Sequence, residues 1–391
     1  MKKIIFIIGL IPAIMILWSC EDDFIDLNVQ DDEQIDLTIQ HDKQSFQKNE
    51  LIIHKSKLQN RVFTSESLID NVIGNSPIRK LQIYTPPGYE KHGDRVYPVI
   101  YLLHGLPFSE KAYIDIKTWD PWIGDPMPFQ EYPDFPEEGF REWVDGLILA
   151  EIIEPLIIVM PNAANEMYGF SFYTNSLLNG NFENFIVEDV VSYIDENYRT
   201  INSPDSRSVM GNSQGGYAAI KLGMLHPDVF GVVASHSGLL YLDGVLALGE
   251  VVVSENPDGF IGPDPTKFLT SAGYAMSSAW SPNLNNPPFY VDLPFEYPSG
   301  AVIPEVRERW LAHDVFTMLD ANIINFSSLK GVYMDAGTYD ELGMNQMTWA
   351  FKEKLDYLGI ANTTEGFDGG HFNKMFSRFE RSFAFCSELM N

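Results

Sequence analysis

The sequence predicts an α/β domain with a mostly parallel central sheet, helices on both faces and an aromatic-rich insertion or cap. Continuous apolar runs of strand length recur at 97–103, 156–160 and 230–235. Runs without alternation suit strands buried on both faces. Helical patterns fall between and after them, from Trp143 to Ile153, Asn184 to Tyr198, Tyr217 to Leu225, Asn345 to Leu358 and Phe372 to Leu389. Strand–helix alternation calls for parallel pairing through right-handed crossovers. The 391 residues, 45% of them hydrophobic, allow one large domain or two with ample core.

The chain begins with targeting features. Lys2-Lys3 form a positive n-region, and Ile4 to Trp18 are apolar but short for a bilayer span, as in the h-region of a signal peptide. Leu17-Trp18-Ser19-Cys20 resembles a bacterial lipobox, which implies that Cys20 is lipidated and that residues 1–20 form a lipoprotein signal peptide. The competing reading is an ordinary secretory signal with a fortuitous cysteine. Residues 21–36 carry eight acidic residues and no Lys or Arg, and resemble the export signal of surface lipoproteins in some Gram-negative bacteria. The expected address is the bacterial cell envelope, lipid-anchored, at the outer-membrane surface or in the periplasm. The segment 21–60 is expected to be a disordered acidic tether. A net charge of −28 argues against nucleic-acid partners, which need a basic footprint. With Cys20 acylated, Cys386 has no partner and is expected to be a buried small hydrophobe.

The catalytic body is expected over 61–391. Residues 61–68 and 78–84 read as antiparallel strands joined by a Gly74-Asn75-Ser76-Pro77 turn. Ser206 to Met210 and Gly331 to Asp335 read as further strands. Two aromatic- and proline-bearing stretches, 107–142 and 240–315, interrupt the repeat. Both leave carboxyl ends of strands, where such sheets build their sites. They are expected to form either a lid or substrate wall, or a cap packed by its own rings.

Gly211-Asn212-Ser213-Gln214-Gly215 fits the G-x-S-x-G nucleophile elbow, with strand before and helix after. Small residues two before and two after the serine let the backbone approach itself, so that the hydroxyl projects. The following helix N-terminus offers free N–H groups to a developing oxyanion. A serine nucleophile needs a base, and the base needs an orienting acid. In α/β-hydrolases the chain order is serine, acid, histidine. Of eight histidines only His371, in Asp368-Gly369-Gly370-His371, follows the last strand region. His236 and His313 are competitors. Asp340, in the loop after the strand ending at Asp335, is the expected acid. Asp335 is its nearest rival, and Asp368 lies too near the histidine. The loop His104-Gly105-Leu106 is expected to give the second oxyanion donor, so that the N–H of Leu106 (or Gly105) and of Gln214 form the hole. His104 reads as a structural hydrogen-bonder beside it.

Tyr101-Leu102-Leu103-His104-Gly105, Pro155 to Asn162, Gly211 to Tyr217, Ala336 to Asp340 and Gly369-Gly370-His371 resemble the esterase D-like family of α/β-hydrolases, also called the putative esterase family. That family includes feruloyl and acetylxylan esterases, enterochelin esterases, S-formylglutathione hydrolases and mycolyltransferases. The likeness covers about 60–391 and implies an α/β-hydrolase fold with a Ser213/Asp340/His371 triad. Asn212 and Gln214 depart from the family's frequent His and Met.

The expected function is a secreted, lipid-anchored serine esterase acting on a small-molecule or glycan ester, with no cofactor and no metal. An acyltransferase on the same fold, or a non-catalytic glycan-binding surface lipoprotein, are the alternatives. A calcium site at Asn256-Pro257-Asp258-Gly259 and Asp264 is weighed against a surface turn, and the turn is preferred.

Overall fold

The computed structural model describes residues 55–105, 109–114, 134–264 and 266–390. Cys20, the signal segment and Leu106 lie outside the described residues, as does the tether up to residue 54 and most of 107–133. The central sheet has eight strands: β1 (Lys57–Thr64), β2 (Ile78–Thr85), β3 (Val99–Leu103), β4 (Ile157–Pro161), β5 (Arg207–Asn212), β6 (Val232–His236), β7 (Gly331–Gly337) and β8 (Thr363–Phe367). Their spatial order is β1-β2-β4-β3-β5-β6-β7-β8. β1 and β2 are antiparallel to each other, and β2 is antiparallel to β4; the remaining pairs are parallel.

Several boundaries differ from the sequence expectation by a few residues, and three of them bear on the sheet edge or the site. β1 starts at Lys57, so the expected tether limit near residue 60 is too late. It also stops at Thr64 instead of continuing to 68, because Ser65 turns the chain: its N–H donates to the Pro77 carbonyl at 2.8 Å and its hydroxyl bonds Asp189. A short 3-10 turn, Glu66–Leu68, then buries Leu68. β7 runs two residues past Asp335, which pairs with His236 on one side and Glu365 on the other, so Asp335 lies within the strand. β8 has no counterpart among the expected strands; its residues are half-exposed at the sheet edge and lack an apolar run.

The main helices are α1 (Phe140–Leu149), α2 (Val191–Asn197, preceded by a π-helical Phe185–Val190), α3 (Gln214–Leu225), α4 (Phe268–Trp280), α5 (Pro304–Leu311), α6 (Met344–Tyr357) and α7 (Met375–Leu389). Period-two alternation in the strands sorts side chains to two faces. Tyr101, Leu103, Val159, Val209 and Val233 pack with residues of α2, α3 and α6. Ile100, Leu102, Ile158, Met210 and Ala234 pack with residues of α1 and α7. Cys386 of α7 is buried, with Sγ 3.1 Å from Ser208 Oγ, and burial pushes its thiol up to about 12. It sits among hydrophobic neighbours, as expected from the sequence.

In the described part of 240–315, two tryptophans pack against each other and against rings from outside the stretch. Trp280 of α4 packs against Trp310 of α5 at 5.3 Å, Phe172 at 4.8 Å and Tyr217 of α3 at 5.7 Å. Trp310 Nε1 donates to Ser281 Oγ at 2.9 Å. These rings join the core, so they act as cap packing.

One buried charge pair ties α3 to the segment before α2. Lys221 Nζ lies 2.7 Å from Glu183 Oε2, and Glu183 Oε1 is 3.0 Å from His226 Nε2. Burial pushes the Glu183 carboxyl up, but His226 and Lys221 outweigh it and hold the group at about 2, against an ordinary 4.5. Its contribution to stability is therefore complete above about pH 4.5 and is lost as pH falls towards 2. Glu183→Gln should leave Lys221 buried without a counter-ion, costing about 3–5 kcal/mol. Urea unfolding at neutral pH and through this acid window checks it; the variant's stability should also vary less with pH there. Equal stability of variant and wild type would refute the pair's importance.

Candidate active site

β5 delivers the chain to Ser213, and α3 carries it away. Ser213 has φ +58° and ψ −120°, a conformation that a non-glycine residue holds only under constraint. The constraint is visible. Its N–H donates to the His236 carbonyl at 2.9 Å, and its carbonyl accepts the Tyr217 N–H at 2.9 Å. Glycine is required on both sides: a Cβ at 211 would stand 2.5 Å from the Leu103 carbonyl oxygen, and one at 215 only 2.4 Å from it. Gln214 is the first residue of α3, so its N–H belongs to the four that a helix leaves without an internal partner.

His371 and Asp340 meet in the loops beyond β8 and β7. His371 Nδ1 is 2.9 Å from Asp340 Oδ2, and both side chains are fully buried. Asp340 Oδ1 also accepts the Leu342 N–H at 3.0 Å. Burial pushes the Asp340 carboxyl up, but the His371 hydrogen bond and charge, with the Leu342 and Met344 amides, bring it below its usual value. The His371 N–H donates to Glu341 Oε2 at 3.0 Å. The two loops touch backbone to backbone: the Tyr339 N–H donates to the Gly369 carbonyl at 3.0 Å, and a Cβ at Gly337 would meet that oxygen at 2.3 Å. His371 Nε2 is buried and has no hydrogen-bond partner among the described residues, so the Ser213–His371 hydrogen bond is not formed here. Such bonds commonly tighten only when substrate binds.

The rival residues have other partners. Asp335 Oδ2 is 2.8 Å from His236 Nδ1, and Oδ1 takes Arg378 Nη2 at 2.6 Å. Burial opposes its ionisation, but Arg378 and His236 win and hold it well below the ordinary carboxylate range. His236 Nε2 meets Ser382 Oγ at 3.0 Å. Ser382, His236 and Asp335 thus repeat a triad-like order, but Ser382 lies inside α7 instead of on an elbow, and its hydroxyl donates to the Phe379 carbonyl at 3.2 Å. His313 is stacked on Trp280, and burial lowers it to about 4. His104 is bonded at both nitrogens, to the Gly105 carbonyl at 2.9 Å and from the Ala163 N–H at 3.0 Å; burial lowers it to about 4.

Sequence reasoning gave the Gln214 side chain no part. Its Nε2 donates to the Gly105 carbonyl at 3.2 Å, and its Oε1 accepts the Phe172 N–H at 3.3 Å. Tyr173 Oη donates to the His104 carbonyl and Tyr113 Oη to that of Leu103, each at 3.0 Å. Three successive carbonyls, from the last residue of β3 onward, are therefore held by buried side-chain donors. Nothing local in the sequence signals this, because the donors come from separate loops and α3.

An α/β-hydrolase fold with a serine elbow at the carboxyl edge of its sheet defines the class. A family model described as "Putative esterase" matches residues 76–380, and the chain belongs to that family. An esterase of Mycobacterium tuberculosis is 28% identical over 158 residues, 40% of this chain and 28% of that protein. An endo-1,4-beta-xylanase/feruloyl esterase of Xylanibacter ruminicola is 24% identical over 234 residues, 57% of this chain and 28% of that protein. The chain thus spans well under half the length of these curated relatives. A ferulic acid esterase structure superposes with a TM-score of 0.55 at 18% identity, covering 86% of this chain and 99% of that one. An S-formylglutathione hydrolase from Staphylococcus aureus gives 0.53 at 15%, covering 86% of this chain and 100% of that one. At these identities the structural likeness speaks for the fold.

Gly215→Ala should be among the costliest single-methyl additions in the chain, because its Cβ would meet backbone at 2.4 Å that no side-chain rotation relieves. We expect a loss of roughly 3 kcal/mol, near the top of the overpacking range, with the elbow displaced. Thermal unfolding beside an ester assay checks it; a wild-type melting temperature would contradict the close crossing.

Proposed function

We propose that this protein is a serine carboxylic ester hydrolase in which Ser213 is the nucleophile, His371 the base and Asp340 the orienting acid. The observation that carries the reading is the buried His371 Nδ1–Asp340 Oδ2 bond of 2.9 Å, which leaves Nε2 as the nitrogen without a partner among the described residues. Ser213 Oγ attacks the ester carbonyl as its proton passes to His371 Nε2. The N–H groups of Gln214 and Leu106 receive the oxyanion. Collapse of the tetrahedral species expels the alcohol, which takes the proton from Nε2, and leaves an acyl-enzyme. Water then attacks, gives its proton to Nε2, and the carboxylic acid departs as Ser213 is reprotonated. Asp340 holds the imidazole tautomer and stabilises its cation. Water as deacylating nucleophile makes this a hydrolase; a glycan hydroxyl in its place would make it a transferase.

The substrate is proposed to be an acyl group on a glycan. The relative carrying a xylanase beside a feruloyl esterase supports this, as does the lipoprotein signal read from the sequence. The protein is proposed to be anchored through Cys20 in the bacterial envelope.

Ser213→Ala should lower ester turnover by roughly 10⁴–10⁶-fold with the fold intact, and should abolish labelling by a fluorophosphonate. Labelling that survives would remove Ser213 from its role. Asp340→Asn should cost on the order of 10⁴ in kcat, because an amide favours the wrong tautomer. Asp335→Asn should cost much less; the reverse ranking would move the acid to Asp335. Paired p-nitrophenyl, feruloyl and acetylated-xylan substrates read these effects and rank the acyl groups.

Cys20→Ser should release the protein from membranes or block its processing. Fractionation with the wild type wholly in the soluble compartment would end the anchor proposal.

A further inference from the structure

We infer that Arg378 is a positioning residue for the reaction, setting the place of the His371 imidazole by holding that residue's main chain. The inference rests on the Ser213/His371/Asp340 reading and adds to it a group that touches no reacting atom.

Arg378 lies in the first turn of α7, immediately after the loop that bears His371, and is 3% exposed. Its Nη1 donates to the His371 carbonyl at 3.2 Å and to the Asn373 carbonyl at 3.5 Å. Nε and Nη2 both reach Asp335 Oδ1, at 3.0 and 2.6 Å, and Nη2 also reaches Ser237 Oγ at 3.0 Å. The guanidinium lies over the Phe367 ring at 4.3 Å from its centroid. One planar fork therefore joins the residue after β6, the inside of β7, the end of β8 and the catalytic loop. Only guanidinium has enough donors in fixed directions for this.

The anchorage is itself braced. Asp335 is held from its other oxygen by His236, and His236 by Ser382, one turn along α7 from Arg378. The Ser237 N–H donates to the Asp335 carbonyl at 2.8 Å. His371 is consequently gripped at three points: Nδ1 by Asp340, N–H by Glu341 and C=O by Arg378. The first orients the ring about its own bonds. The other two fix the backbone from which the ring hangs, and so the reach of Nε2 towards the serine. Asp340 alone cannot supply that, because the Gly369-Gly370 segment before His371 lacks the side-chain restraint that would otherwise stiffen it. A buried ion pair is a poor stabiliser compared with packed apolar groups; a positional role accounts for one that spans four elements and ends on the histidine carbonyl.

Arg378→Lys is the test. A single ammonium keeps the charge opposite Asp335 but lacks a second arm for the His371 carbonyl. We expect kcat to fall about 10–100-fold, the cost of a misplacement on the scale of 1 Å, with KM and melting temperature near wild type. The low-field proton resonance of the His371–Asp340 hydrogen bond, assigned by its loss in His371→Ala, should shift or broaden. Ser237→Ala, which removes one lateral bond and no charge, is the milder partner should the lysine variant not fold. Its kcat should drop roughly three-fold, as for one weakened hydrogen bond, with the variant still fully folded at the assay temperature. Wild-type kcat and an unmoved resonance in the folded variant overturn the inference, as does a loss of activity that only tracks the unfolded fraction. Assaying His371→Ala alongside separates the two levels: an active His371→Ala sinks the triad and this inference together. An inactive His371→Ala beside a fully active Arg378→Lys sinks the inference alone.

Discussion

The serine elbow depends on the carbonyl oxygen of Leu103, on which two glycine backbones converge at the carboxyl edge of the sheet. The backbones of Gly211 and Gly215 both pass so close that a methyl group at either would lie within 2.5 Å of it. β3 and β5 must be adjacent and parallel for this approach, and the elbow must turn back within four residues. The positive φ of Ser213 follows from that turn, since the His236 carbonyl holds its N–H on one side while α3 begins on the other. Tyr113 donates to the same Leu103 oxygen, so the acceptor is bonded in spite of the crowding. The strained serine is thus held by backbone that has no room to relax.

Asp335 and Asp340 show how five residues separate two chemistries. Both are buried, and both carboxyls stay below their ordinary range. Asp335 is inside a strand, so its side chain faces α7 and meets a permanent cation. Asp340 is beyond the strand, in a loop, where its partner is the His371 imidazole.

What the sequence disclosed was whatever depends on short-range sterics. The elbow could be read because close backbone contact demands glycine, and the demand is written into the motif. His371 could be read because two glycines precede it and because the chain order of the class excludes other histidines. The sheet's interior strands were legible from apolar runs, whereas β8 was not, because an edge strand with Thr363, Thr364 and Glu365 carries no such run. The choice between Asp335 and Asp340 leaned on where the strand was thought to end, and β7 proved two residues longer. The donor trio of Tyr113, Tyr173 and Gln214 was illegible, since its members are scattered over a hundred residues and only the folded chain brings them to three consecutive carbonyls. The rings of the 240–315 insertion were visible as composition, but their inward packing needed Phe172 and Tyr217 from elsewhere.

The direction of β1 has a mechanical consequence. β1 opposes β2, which opposes β4, so Lys57 pairs with Thr85 at the amino edge of the sheet while Ser213 sits at the carboxyl edge. Tension applied through chain upstream of Lys57 would enter an outermost strand as shear along its ladder with β2. Five further strands, β4, β3, β5, β6 and β7, separate β2 from the β8 edge, and the two loops carrying Asp340 and His371 belong to that far side. Such a load would be borne by the hydrogen bonds between β1 and β2, across the sheet from the loops that carry Asp340 and His371.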